Sequence, residues 1–196
     1  MGRGKEFIHA AYFFLGLEQP RTQVTPKEKE LLIKYASGKA TAVEIGVFEG
    51  ATTRILADSI ARKGILYAID PFFKGQLGFS WGEFIAVTHL KRSLLNHKVR
   101  FIKELSFNSV SKVGDGIEFI FIDGDHSYEG FKRDWHDWSV KLKVGGYAAL
   151  HDTDIHPYVP DSRPGSYEYF QDVVKHDPRF KVVDQADSLH ILQKVH

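Results

Sequence analysis

Phe119-Ile120-Phe121-Ile122-Asp123-Gly124-Asp125-His126 is the stretch on which the fold turns. Its apolar residues run without a polar break into an acidic turn. A strand buried on both faces of a parallel sheet reads this way. A second stretch repeats the design: Gly145-Gly146-Tyr147-Ala148-Ala149-Leu150-His151-Asp152-Thr153-Asp154. One helix-sized segment separates the two, so they form a strand–helix–strand unit with carboxyl ends side by side, about 5 Å apart. Asp123, Asp125, His126, His151 and Asp152 then converge where open α/β sheets bind ligands. That is the profile of a metal or acid–base site.

On either side, strand-like and helix-like segments alternate: strands 41–46, 65–70, 98–102, 118–122 and 146–151, helices 51–62, 81–95, 107–112 and 128–141. This alternation predicts an α/β fold with a mostly parallel, doubly wound sheet and helices on both faces. Thr25-Pro26-Lys27-Glu28 is a helix start, with a Thr cap, Pro at the first helical position and an acid in the first turn. Phe7 to Leu17 reads as an amphipathic helix rather than a signal-peptide core, because it holds His9 and no small-residue cleavage site follows. Segments 180–183 and 189–192 flank Asp184–Ser188 as an antiparallel hairpin. The helical segment 1–38 is expected to pack on the sheet domain, 39–196, as one domain overall. Thr153 to Gly165, with His156, Tyr158 and three prolines, leaves the site directly and is expected to be a lid or substrate loop.

A chain of 196 residues can bury a core of its own. It has no cysteine, which excludes disulfides, thiolate metal sites and cysteine nucleophiles and suits a reducing cytoplasm. The net charge is +1 and the charges are scattered, so a nucleic-acid partner is not expected. Nor is a membrane, since no apolar stretch nears the roughly 18 residues of a span.

Ala42 to Thr53 is a strand, a glycine turn and a helix start. Gly46 and Gly50 permit a tight turn, and the free N–H groups opening the next helix favour a carboxylate or phosphate. Asp70, about 20 residues beyond Gly50 at the end of the next strand, is where an acid grips ribose hydroxyls in nucleotide-binding sheets. The turn departs from G-x-G-x-x-G, because Phe48 stands where a second glycine would admit pyrophosphate. Glu44 would repel phosphate but suits an ammonium group. A nucleoside carrying an amino acid fits, and S-adenosylmethionine is such a ligand.

With these residues in place, the chain resembles the class I S-adenosylmethionine-dependent methyltransferases. Glu44 to Thr52 looks like their first motif and Asp70 like their ribose-binding acid. The closer resemblance is to the small members related to macrocin-type and catechol-type O-methyltransferases, through I-D-G-D-H-x-Y-E-x-x-x-x-D (Ile122 to Asp134) and G-G-x-x-x-x-H-D (Gly145 to Asp152). It covers roughly residues 40 to 194 and implies a Rossmann-like seven-strand sheet with an antiparallel last strand. It also implies cofactor contacts from Glu44, Gly46, Gly50, Thr52, Asp70, Ser106 and Asp123. Asp123 and Asp152 would hold a divalent metal, and His126 would be the base. His151, where relatives commonly carry an acid or amide beside the metal-binding aspartate, weakens the case for magnesium and leaves room for manganese or iron.

The expected reaction is O-methylation of a small hydroxylated acceptor, with Mg2+ or Mn2+ as an optional aid. His126 takes the proton and Asp123 assists; Asp125 orients His126 or adds a ligand. A homodimer is left open. The alternatives are an NAD(P)-dependent oxidoreductase, disfavoured by Phe48 and Glu44, and a metal-dependent hydrolase, which leaves the glycine turn unexplained. A binding protein that keeps only the fold is a further reading. Phe131, Trp135, Trp138 and Leu142 share one helix face and are expected in the core. Phe72 and Phe73 are placed near adenine, and Phe79 and Trp81 at the acceptor or under the next helix. His151 reads as a hydrogen-bonded residue at a strand end.

Overall fold

The protein is described here from a computed structural model covering residues 3–75, 78–155, 157, 159 and 162–196. His156 and Tyr158 of the expected lid lie outside the described residues. The strands are β1 Thr41–Ile45, β2 Ile65–Ile69, β3 Val99–Ile102, β4 Ile117–Ile122, β5 Leu142–Leu150, β6 Phe180–Ala186 and β7 Leu189–Lys194. The helices are α1 Arg3–Phe14, α2 Pro26–Ala36, α3 Ala51–Ser59, α4 Trp81–Arg92, α5 Ser106–Ser109, α6 Tyr128–Ser139 and α7 Gly165–Asp172. The seven strands form one sheet in the order β3-β2-β1-β4-β5-β7-β6. β1 to β5 pair in parallel, and β7 runs antiparallel to both β5 and β6.

The continuous apolar run of β4 splits between two cores, as the period of two in a strand requires. Phe119 and Phe121 join Ala42, Leu56, Ala149, Leu32 and Ala36 on the α2/α3 face. Ile120 and Ile122 join Val43, Ile45, Phe131, Trp135, Trp138 and Phe170 on the α6/α7 face. The apolar stripe of α6 is therefore core, and each large side chain it buries contributes ~1.5–3 kcal/mol. Thr25 caps α2 in a full capping box with Glu28. Lys98, 6% exposed, reaches the end of α3 and donates to the Ala57 and Ile60 carbonyls at 2.6 and 3.0 Å.

Register places the site. Ile69, Ile45, Ile122 and Leu150 pair across the sheet, so Asp70, Gly46, Asp123 and His151 leave their strands at one level. The strand order reverses between β1 and β4, and Gly46 and Asp123 flank that crevice, where doubly wound sheets take ligands.

Two elements depart from the sequence reading. β5 begins at Leu142, because Leu142 pairs with Ile117 before a register shift, upstream of the two glycines that suggested a later start. Helix α7 occupies 165–172, where the sequence suggested no element. Gly165 makes its docking feasible: a Cβ there would lie 2.0 Å from the Tyr128 backbone nitrogen.

Candidate active site

The glycine turn is a rigid cradle. Gly46 has φ +91°, and a Cβ on it would lie 2.1 Å from the Asp123 carbonyl oxygen. The sequence reading gave Gly46 a tight turn and, by resemblance, a cofactor contact; the structure adds that the backbone of the neighbouring strand end occupies the space a Cβ would take. Gly50, φ +76°, is backed less tightly, by Ala86, whose Cβ would lie 2.8 Å from a Cβ placed there. Asp70 organises the turn: its Oδ2 accepts from the N–H groups of Val47 and Phe48 at 2.9 and 3.0 Å, and its Oδ1 accepts from Phe72 N–H at 2.7 Å. A carboxylate has about four acceptor positions, so one remains for a ribose hydroxyl.

Beneath the turn, Glu44 is fully buried, and neither oxygen has a hydrogen-bond partner among the described residues. Burial pushes its pKa well above the carboxylate range; the nearby Thr53 hydroxyl opposes this, and the charges of Asp123 and Asp70 add to it. A buried acid without a donor is costly. A ligand ammonium group would supply one, so the cradle fits the cofactor expected from sequence. Thr52 is buried, with its hydroxyl 3.4 Å from that of Thr22. Ser106, opening α5, donates to the buried Asp134, whose carboxyl is pushed up to about 6, chiefly by burial. Phe72 packs in the core against Phe101, and Phe73 is 76% exposed. Phe79 and Trp81 pack on each other, and Trp81 meets Phe7 of α1, so they seat helices rather than line the groove described below.

Across the crevice the structure brings Asp123, His126, His151 and Asp152 together. His126 Nδ1 lies 3.1 Å from Asp152 Oδ2, and its Nε2 lies 3.8 Å from Asp123 Oδ1. His151 Nδ1 faces Asp123 Oδ1 at 3.1 Å and Asp152 Oδ1 at 3.5 Å. Asp152 has φ +53°, a conformation aspartate tolerates better than most residues. Its backbone carbonyl accepts from Ser166 Oγ at 2.8 Å, and Ser166 N–H donates to the His126 carbonyl at 3.0 Å, so α7 ties the two together. The Asp152 carboxylate at Nδ1 is the main cause of a raised His126 pKa, against burial. Burial would raise Asp152, but the two imidazoles hold it well below the carboxylate range.

Asp125 does neither of the jobs expected of it. Its Oδ1 accepts from Ser127 N–H at 2.9 Å as a local turn, tight against Gly130. The cap of α6 is Ser127, which leaves Asp123 free of that task. His151 is 1% exposed and does more than end a strand: its Nε2 donates to Glu28 Oε2 at 3.3 Å. Glu28, an ordinary helix-start acid by sequence, reaches this cluster from α2. An open groove of about 520 Å³ adjoins Asp152, walled by Thr22, Val24 and Thr25 on one side and by Asp154, Val159 and Ser162 on the other.

Asp123, His126 and Asp152 each offer a ligand atom, all within 4.8 Å of one another. Two carboxylates and an imidazole suit a first-row transition ion better than magnesium, which prefers oxygen throughout. Thr153 adds no ligand: its hydroxyl engages the Leu150 carbonyl and His190, each at 2.9 Å.

Comparison with known proteins decides the family. Residues 43–153 match the profile of a methyltransferase domain. The chain belongs to that family, on the class I fold. S-adenosylmethionine is the methyl donor of that class. R132, an uncharacterized protein of Acanthamoeba polyphaga mimivirus, is 27% identical over 152 residues, or 73% of this chain. The chain spans 66% of that viral protein's length, just under two thirds. Among solved structures, cofactor-bound Rv0187 from MTB superposes with TM-score 0.74 at 16% identity, covering 97% of this chain and 89% of that one. The Bacillus cereus O-methyltransferase in complex with S-adenosylhomocysteine gives 0.66 at 16%, covering 100% and 93%. TomG of Streptomyces achromogenes, an O-methyltransferase of tomaymycin synthesis in complex with S-adenosylmethionine, gives 0.64 at 12%, covering 100% and 91%. These likenesses show the shared fold.

Proposed function

We propose that this methyltransferase methylates a hydroxyl of a small acceptor bound in the groove beside Asp152. The observation that carries the reading is the imidazole of His126, with Asp152 at Nδ1 and Nε2 left to take a proton. The acceptor hydroxyl proton passes to Nε2, the new oxygen–methyl bond forms as the sulfur–methyl bond breaks, and S-adenosylhomocysteine leaves. Asp152 fixes the ring and balances the charge it gains, as a carboxylate behind a catalytic imidazole does. Asp123 bridges the cofactor and acceptor sides. Glu44, the Gly46–Gly50 turn and Thr52 hold the amino-acid end of the donor, Asp70 the ribose, and Ser106 the adenine.

A divalent ion, magnesium or manganese, would sit on the two carboxylates of Asp123 and Asp152 while His126 stays free as the base; it would lower the pKa of the acceptor hydroxyl and fix its direction. The groove mixes hydroxyls and carboxylates with Val24, Pro26 and Val159, which suits a small hydroxylated molecule rather than nucleic acid or a membrane. Among the described residues no helix is long and apolar enough to cross a membrane; the cytoplasm is the proposed compartment. A nicotinamide dinucleotide is disfavoured because the Val47 and Phe48 N–H groups, needed by a pyrophosphate, are taken by Asp70.

The test is calorimetry with S-adenosylhomocysteine, followed by transfer of a labelled methyl group to a panel of catechols, sugars and phenolic scaffolds. Micromolar binding, about 8 kcal/mol, is expected. No binding by the wild type would end the reading.

A further inference from the structure

We infer that Glu28 and His151 form a buried bracket that positions Asp123 and Asp152, making both of them positioning residues for the transfer. The inference rests on the methyl-transfer reading for its purpose, though its geometry stands apart from it. Glu28 is 0% exposed and its carboxylate is fully engaged. Oε1 accepts from Ser188 N–H at 2.9 Å and Ser188 Oγ at 2.7 Å; Oε2 accepts from Thr25 N–H at 2.8 Å and from His151 Nε2. A carboxylate only accepts, so Nε2 must carry a hydrogen. The opposite edge of the ring then faces both aspartates through Nδ1.

Each part fixes the next. Ser188 sits in the β6–β7 turn, Thr25 caps α2, and His151 leaves β5. Glu28 therefore locks three separate elements around one imidazole. Phe121, edge-on at 6.2 Å between ring centroids, closes one side of it. A ring held at its edge and far nitrogen cannot turn, so the spacing of Asp123 and Asp152 is set from behind. A carboxylate–imidazole–carboxylate line of this kind orients groups that themselves touch substrate or metal. The family match begins at residue 43, so Glu28 lies in a segment it does not include.

The experiment compares Glu28→Gln, His151→Asn and Ser188→Ala with the wild type. Three readouts are used: S-adenosylhomocysteine affinity, Mn2+ affinity measured with the metal alone, and the ring 15N signals of His126. Ser188→Ala removes one of the two Ser188 donors on Glu28 Oε1 and keeps the N–H, so it is expected to lower the thermal midpoint and to change the other readouts less than Glu28→Gln does. Glu28→Gln and His151→Asn should weaken Mn2+ binding by about tenfold or more, the usual effect of losing a group behind a ligand. They should shift the His126 signals, because Asp152 moves at Nδ1, and lower S-adenosylhomocysteine affinity, felt through Asp123 alone, by less than the Mn2+ affinity. Glu28→Gln that lowers the midpoint but leaves Mn2+ binding and the His126 signals unchanged overturns the bracket and makes the pair structural only. If the wild type binds no Mn2+, the His126 signals alone decide, and an unchanged spectrum overturns it. Failure of the wild type to bind S-adenosylhomocysteine overturns the methyl-transfer reading instead, and the same spectra still judge the bracket.

Discussion

In the proposed reaction His126 takes the acceptor proton, and its removal should be specific. His126→Ala is expected to lower turnover by about 10²–10⁴, the range for a general base. Cofactor affinity should stay the same, since the ring stands across the crevice from the glycine turn. Unchanged turnover with a true acceptor would remove it from the mechanism. Gly46→Ala should act differently, through the fold: a Cβ 2.1 Å from the Asp123 carbonyl cannot be accommodated without parting β1 from β4. A loss of several kcal/mol is expected, about 3 or more, against about 1 for Gly38→Ala, where only positive φ is at stake. Urea midpoints of the two variants decide.

His190 governs one acid transition. Its ring stacks on Phe170 at 4.1 Å, with Thr153 Oγ1 at Nδ1 and Asp154 3.7 Å from Nε2. Burial lowers its pKa from 6.5 to about 4; Asp154 opposes the shift and Lys175 adds to it. Below pH 6.5 the unfolded chain takes up a proton that the folded ring refuses, so stability falls as pH drops toward 4, by up to about 3 kcal/mol. Asp134, pushed up to about 6, works in the opposite direction over the same window, gaining stability as pH falls. The difference between wild type and His190→Gln in urea at pH 7 and pH 4.5 isolates the His190 effect. Parallel losses in both proteins would refute it.

At the scale of elements, the end of α3 offers a clean case. Lys98→Met keeps the length of the side chain but orphans the Ala57 and Ile60 carbonyls, at an expected cost of about 1–3 kcal/mol. A thermal midpoint equal to wild type would show that water replaces the amine. The elements were largely legible in the sequence because their signals are local. Apolar runs gave the strands, Thr25-Pro26 gave the start of α2, and the spacing Phe131, Trp135, Trp138 gave the buried face of α6. Helix α7 was not legible: Pro164 stands at its cap and Gly165 at its first turn, neither a usual start, and eight residues are too few for a clear period. The start of β5 was hidden because Lys143, Val144 and Gly145 are exposed there. Within the site, Asp123, His126 and Asp152 were readable as tips of strand-like runs. Glu28 and Ser166 were not, since their roles come from contacts across the chain and leave no local mark.

The whole molecule is closed by its amino-terminal segment. His9 Nε2 and Arg21 N–H both reach the buried Glu49 of the glycine turn, at 2.9 and 2.6 Å, and Leu32 and Ala36 join the core on the α2/α3 face of the sheet. A variant starting at Lys39 should therefore lose cooperative unfolding and bind a hydrophobic dye, while keeping much of its far-ultraviolet signal. A sharp, wild-type-like melt would show that the segment is an accessory.

Glu28 meets His151 across 123 positions of sequence and Ser188 across 160. Closing loops of that length is among the slow events of folding, whereas the Asp70 hydrogen bonds that order the glycine turn span only 22 and 23 positions. During refolding the donor cradle should thus mature before the acceptor side does. Stopped-flow mixing would then report an early species that captures S-adenosylhomocysteine and a later one that turns over, with catalytic competence lagging ligand capture.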